Sequence, residues 1–193
     1  MDRSASGSSK RIVITVSGLH GTGKSTAARR LSEALGLRYF SAGELMRSMA
    51  AERGISLEEF SSLAERDPEL DRLVDDRTKE EAERGNVVID AALSGWMADD
   101  ADIKIFLTAP ADVRIERIAH RDGVTVDEAR EETLLRERSE RNRYKRYYGV
   151  DVLDLSIYDL VLNTGLFDAD GTARILKKVV DEYCSGGEPD VGR

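Results

Sequence analysis

At 193 residues, with 40% hydrophobic and 34% charged side chains, the chain has the size and apolar content of one compact domain with a sizeable core. A formal net charge of −8 argues against a general nucleic-acid binder, whose basic surface would release counterions. One cysteine, Cys184, excludes an internal disulfide and suits a reducing cytoplasm, and no segment approaches the ~20 apolar residues of a membrane span.

Residues 1–10 are Ser-rich, lack the apolar run of a signal peptide, and read as a disordered arm. A β-branched run then predicts a buried strand over 12–17. Helical spacing follows over 24–35, stopped by Gly36. A short strand is expected at 38–40, then helices at 43–53 and 57–66 separated by Gly54-Ile55-Ser56. Asp67-Pro68 opens a further helix that runs to Arg84 and is closed by Gly85. Strands at 87–90 and 103–108 come next, then helices at 112–120 and 127–148 with Gly123 between them. A strand at 159–163 and a helix at 172–183 end the pattern, and 185–193 reads as a frayed tail. Strands alternating with helices define an α/β fold, a five-stranded parallel sheet with helices on both faces. Ligands of such sheets bind beyond the carboxyl ends of the strands. Gly18, Asp90 and the turn after Phe40 are therefore expected on one crevice. The helices of about 41–85 would form one flap over it, and the charged stretch of about 121–148 another.

Gly18, Leu19, His20, Gly21, Thr22, Gly23, Lys24 and Ser25 fit G-x-x-x-x-G-K-[ST] at every fixed position, after a strand and before a helix. Together with Thr26 they form the expected phosphate cradle. Its glycines let backbone N–H groups turn inward, and the following helix adds the positive end of its dipole. Lys24 would reach the β- and γ-phosphates of a nucleoside triphosphate, and the Ser25 hydroxyl would ligate magnesium. Asp90 ends the apolar run Val87-Val88-Ile89, where a carboxylate could hold the same ion or cap a helix. His20 occupies a variable position and reads as loop filler. On the opposite side, Gly43 permits close backbone approach, and Arg47 could grip a second phosphate with its fork or be an ordinary surface arginine. Arg136, Glu140 and Arg143 are spaced four and three apart and share a helix face. Such a face can be a solvated, ion-paired helix surface or a lid that supplies cations to the transition state.

These segments resemble a family, the archaeal-type cytidylate kinases. Beyond the P-loop, the resemblance rests on Ser41-Ala42-Gly43-Glu44-Leu45-Met46-Arg47, Gly54-Ile55-Ser56-Leu57-Glu58-Glu59-Phe60 and Leu93-Ser94-Gly95-Trp96-Met97. It continues in Arg130-Glu131-Glu132-Thr133, Tyr147-Tyr148-Gly149-Val150-Asp151 and Ser156-Ile157-Tyr158-Asp159-Leu160-Val161. It implies a core sheet with a monophosphate-binding flap and a lid. It also implies transfer from ATP to CMP or dCMP with magnesium. The chain is expected to act as a monomer on small nucleotides, with its charge and hydropathy arguing against nucleic-acid and membrane partners. Under it Arg47 binds the monophosphate, while Arg136, Glu140 and Arg143 resemble phosphate and pyrimidine contacts. At Asp90-Ala91-Ala92-Leu93 the acidic residue of the family is kept, but Ala92 stands where a substrate-binding arginine is expected. That departure leaves two alternatives open, a P-loop kinase with another small acceptor and a nucleotide-gated module with little turnover. Trp96 reads as a core anchor.

Overall fold

The computed structural model describes residues 11–186; the expected arm at 1–10 and the tail beyond 186 lie outside the described residues. The elements are β1 (Val13–Gly18), α1 (Lys24–Leu35), β2 (Arg38–Ser41), α2 (Ala42–Glu52), α3 (Leu57–Ala64), α4 (Pro68–Arg84) and β3 (Val87–Asp90). They continue with α5 (Ser94–Met97), β4 (Ile103–Thr108), α6 (Ala111–Asp122), α7 (Val126–Tyr148), β5 (Leu160–Asn163), a 3-10 turn at Thr164–Leu166 and α8 (Ala169–Ser185). The strands form one five-stranded, all-parallel sheet in the order β2-β3-β1-β4-β5.

The sheet is covered on both faces, which is why its central strands are apolar at successive positions rather than at alternate ones. Ile14, Val16, Ile105 and Leu107 point to one side and pack on Ala28 and Leu31 of α1 and on Leu176 and Val180 of α8. Val13, Val87 and Ile89 point to the other and pack on Ala42 and Val74. Phe60 anchors a satellite cluster with Ala50, Ala64 and Leu70, which ties α2, α3 and α4 into one helical unit. Among the described residues no helix is long and apolar enough to cross a membrane.

Helix ends follow the side chains available to cap them. Ser56 and Glu59 form a capping box at α3, and Thr125 and Glu128 form one at α7. Asp67 caps α4 with Pro68 in its first turn. Expected and observed bounds coincide for α1, α4, β3 and β4, and the remaining bounds move by a few residues. β1 runs on to Gly18 because that residue still registers with Leu107 of β4. α8 starts three residues early because the Asp168 side chain accepts from the Gly171 N–H at 2.6 Å. α5 and the 3-10 turn have no counterpart in the sequence reading. α5 is a single turn with no side-chain cap at its start, so it leaves little signal in the sequence.

Candidate active site

The carboxyl ends of β1, β2 and β3 share one edge of the sheet. Asp90 is in register with Val16 on one side and Ser41 on the other, so the three strand ends open onto the same crevice. The loop from Gly18 to Gly23 arches over β1. At Gly18 (φ +143°) an added Cβ would stand 2.2 Å from the Leu107 carbonyl oxygen, and at Gly21 (φ +76°) 2.5 Å from that of Arg114. Both positions therefore require glycine on steric as well as conformational grounds. The loop is braced from behind. Buried Arg114 of α6 donates to the His20 carbonyl at 2.7 Å and pairs with Glu137 of α7 at 2.5 Å. The Thr22 hydroxyl donates to the Leu19 carbonyl at 2.8 Å, and Thr164 reaches in from beyond β5 to donate to the Thr22 carbonyl at 2.8 Å.

Lys24 lies at the start of α1 and folds back so that its ammonium donates to the Leu19 carbonyl at 2.9 Å. Burial pushes its pKa below the usual lysine value, against the pull of the Asp90 and Glu140 carboxylates. Phosphate oxygens in the cradle would supply the missing negative charge. Asp90 is buried and accepts from Tyr39 Oη at 3.0 Å and Ser41 Oγ at 3.3 Å, both through Oδ2. Those bonds fix the carboxylate at the cavity wall, with Ser25 also on the cavity.

The cavity has a volume of about 960 Å³, at the upper end of the usual scale of ligand sites. The P-loop from His20 to Thr26 forms its floor, with Asp90 beside it. Gly43 and Arg47 of α2 line one wall, and Arg136 and Glu140 of α7 line another. Arg47 is exposed and, among the described residues, has no ion-pair partner. The other arginines of this region are committed elsewhere. Arg136 pairs with Glu140 at 3.0 Å, and Arg117 is held by the Thr164 hydroxyl at 3.0 Å and carbonyl at 2.9 Å. Arg143 does not line the cavity. It is buried, its Nε stands 3.0 Å from Asp71 of α4, and this gives it a different partner from the phosphate that the helix spacing suggested. The spacing put Arg136, Glu140 and Arg143 on one face, but the packing divides that face between the cavity and the α4 interface.

His20 is more than loop filler: its Nε2 is 2.8 Å from Glu140 Oε2, joining the P-loop to α7. Burial would raise the Glu140 pKa. The hydrogen bond and charge of His20, followed by those of Arg136, overcome it and hold the carboxyl at about 2. The folded pKa lies below the unfolded one, so the stabilisation is complete above the ordinary glutamate range and fades as pH falls toward 2. Urea unfolding of the wild type and Glu140→Gln should therefore show a stability difference at neutral pH that narrows between about pH 4.5 and 2. A difference that stayed constant with pH would contradict this assignment.

The sequence reading also missed the far end of the cavity, where Arg117 of α6, Phe167 and Asp168 of the link after the 3-10 turn, and Thr172 of α8 gather. It likewise missed the α4 wall, where Asp71 and Asp75 face inward with Val74 and Thr78. Trp96 is absent from the cavity lining and packs with Leu93, Val150 and Val152, as expected for a core anchor.

A P-loop facing an arginine that has no ion-pair partner among the described residues, across the end of a parallel sheet, is the arrangement of a P-loop kinase. The model of the cytidylate kinase-like family matches residues 13–166, and the chain belongs to that family. It is 48% identical over 178 residues to a cytidylate kinase of Pyrococcus horikoshii, covering 92% of this chain and 93% of that one. It is 46% identical over 173 residues to the Staphylothermus marinus cytidylate kinase, covering 89% and 98%. Among solved structures, a shikimate kinase from Bacteroides thetaiotaomicron superposes with a TM-score of 0.62 at 16% identity, covering 88% of this chain and 98% of that one. That similarity speaks to the shared fold alone.

Proposed function

We propose that this chain transfers the γ-phosphoryl group of ATP to CMP or dCMP. The observation that carries the reading is the cavity itself. It holds the P-loop with Lys24 at one point and, at another, Arg47, which has no ion-pair partner among the described residues, so two phosphate-bearing ligands can meet end to end between them. The far pocket of Arg117, Phe167 and Thr172 takes the donor base, and the pocket walled by α2 and α4 takes the acceptor.

The reaction needs no covalent protein intermediate. An oxygen of the acceptor phosphate attacks the γ-phosphorus, forming one P–O bond while the bond to the β,γ-bridging oxygen breaks and ADP leaves. The protein positions the two phosphates in line and balances charge that spreads over the transferring group. Loop N–H groups and Lys24 act on the donor side, Arg47 holds the acceptor, and Arg136 supplies a cation from α7. Arg143 contributes indirectly by fixing α7 to α4. Ser25 and Asp90, both on the cavity, are the residues that would hold a magnesium ion. Among the described residues no three His, Cys, Asp or Glu side chains converge to cage an ion. Held by the Ser25 hydroxyl and the Asp90 carboxylate, the ion would supply positive charge against the donor phosphates. The cavity is open to solvent, so the walls from α2, α4 and α7 would have to close on the bound ligands to keep water from accepting the phosphoryl group.

Ala92 lines this cavity and a smaller one beside Glu137, Glu140 and Tyr144. An arginine there would find the Glu140 carboxylate nearby and could add a second charged grip on the acceptor phosphate. Ala92→Arg is expected to raise kcat/KM for CMP by about tenfold, the value of one charge-assisted hydrogen bond. Steady-state kinetics with CMP, dCMP, UMP and AMP check this. A variant that loses activity on the best substrate, with no gain for CMP, would show that the space at 92 belongs to a different acceptor.

A further inference from the structure

The α4 wall of the acceptor pocket carries two carboxylates that phosphoryl transfer does not use. Asp71 and Asp75 lie one helical turn apart, and both line the cavity although they are only 6% and 8% exposed. Carboxylates so far from water are costly unless something answers them. Phosphates cannot be that partner, because like charges repel. Asp75 Oδ2 accepts from Tyr148 Oη of α7, and no partner for Oδ1 is found among the described residues. The Asp71 carboxylate has the charge of Arg143 beside it, yet the contact is poorly aligned. Among the described residues, both Asp71 Oδ2 and Arg143 Nε are buried without a true hydrogen bond. The wall thus presents acceptor capacity and lacks a donor. The neighbouring cavity surface is apolar and aromatic, made by Val74, Met97 and Tyr144, and it suits the faces of a flat ring.

We infer that Asp75, supported by Asp71, reads the acceptor base by accepting a hydrogen bond from an exocyclic amino group, and so selects 4-aminopyrimidines over 4-oxopyrimidines. The inference rests on the nucleoside monophosphate reading and names the element that sets its base specificity. Cytosine presents an amino donor at position 4, and uracil presents a carbonyl oxygen at the same place. A carboxylate oxygen attracts the first and repels the second. Sites that hydrogen-bond a substrate group discriminate strongly against an analogue lacking it, because the site's buried polar atom is then left unpaired. The bond from Tyr148 orients Asp75, leaving the second oxygen to face the base. Tyr148 belongs to α7, so orientation of the reading group depends on α7 lying against α4.

Asp75→Asn tests this directly. With its carbonyl oxygen kept by Tyr148, the amide nitrogen would face the base and donate to a 4-oxo group. The wild type should prefer CMP to UMP by at least tenfold in kcat/KM, and the variant should lower that ratio at least tenfold, chiefly through KM. Asp75→Ser, which removes the reader without adding a donor, should lower CMP use with no gain for UMP. Thermal melting and binding of a fluorescent ATP analogue confirm that each variant is folded. If Asp75→Asn does not fold, Asp75→Ser decides by the same ratio. Calorimetric binding of CMP and UMP separates this inference from the kinase reading. CMP-selective binding that Asp75→Asn abolishes, in a chain without turnover, would sink the kinase reading and keep the inference. An unchanged CMP-to-UMP ratio in folded Asp75 variants, an equal loss for both substrates, or a wild type that binds UMP as well as CMP would overturn it.

Discussion

Replacing Lys24 with alanine is expected to reduce phosphoryl transfer by about 10²–10³-fold or more while leaving the fold intact, since removing one preorganised charge donor from a desolvated site costs that much. The lysine sits where burial already depresses its pKa, so its charge is poorly answered until phosphate arrives. The same desolvation strengthens its interaction with the transferring group. Its structural share is small. Among the described residues the ammonium donates to the Leu19 carbonyl at 2.9 Å, and losing one such bond costs on the order of 1 kcal/mol. Steady-state kinetics and thermal melting on the same preparation measure both. Turnover within a few-fold of wild type in a folded variant would contradict the role given to the P-loop.

Arg47→Ala is expected to act on the other substrate. KM for the monophosphate should rise by about 10²-fold, as for loss of a bidentate charged contact, while affinity for ATP changes little. Arg47→Lys should recover only part of the loss, because an ammonium keeps the charge but not the planar fork. The expectation follows from Arg47 lining the cavity without an ion-pair partner among the described residues. A variant with impaired ATP binding and an unchanged monophosphate KM would reverse the assignment of donor and acceptor ends.

The sequence reveals most where one stretch of chain carries its own instructions. The P-loop is such a stretch, since its glycines, lysine and serine are contiguous and set between a strand and a helix. α4 is another, with Asp67 and Pro68 at its start and Gly85 at its end. Features assembled from distant segments leave no local trace. His20 and Glu140 meet across 120 residues, and Tyr148 and Asp75 across 73. Periodicity correctly put Arg136, Glu140 and Arg143 on one face of α7, but it could not reveal that α4 packs against the Arg143 end of that face. Nor could it mark Asp71 and Asp75 as cavity residues, because a charged residue on a charged helix reads as solvated surface. The buried carboxylates of α4 became visible only once α7 and the post-β3 segment closed the space around them.

Under the proposed function, one cavity holds ATP and a cytidine monophosphate and passes a phosphoryl group between them. The most direct test is to incubate the full chain with ATP and magnesium plus CMP, dCMP, UMP or AMP, and to separate the nucleotide products. CMP and dCMP should be converted to their diphosphates with an equal molar yield of ADP, and the reaction should stop when EDTA removes the metal. ADP released without any nucleoside diphosphate from the acceptor, or no consumption of ATP with any of the four, would rule out this activity.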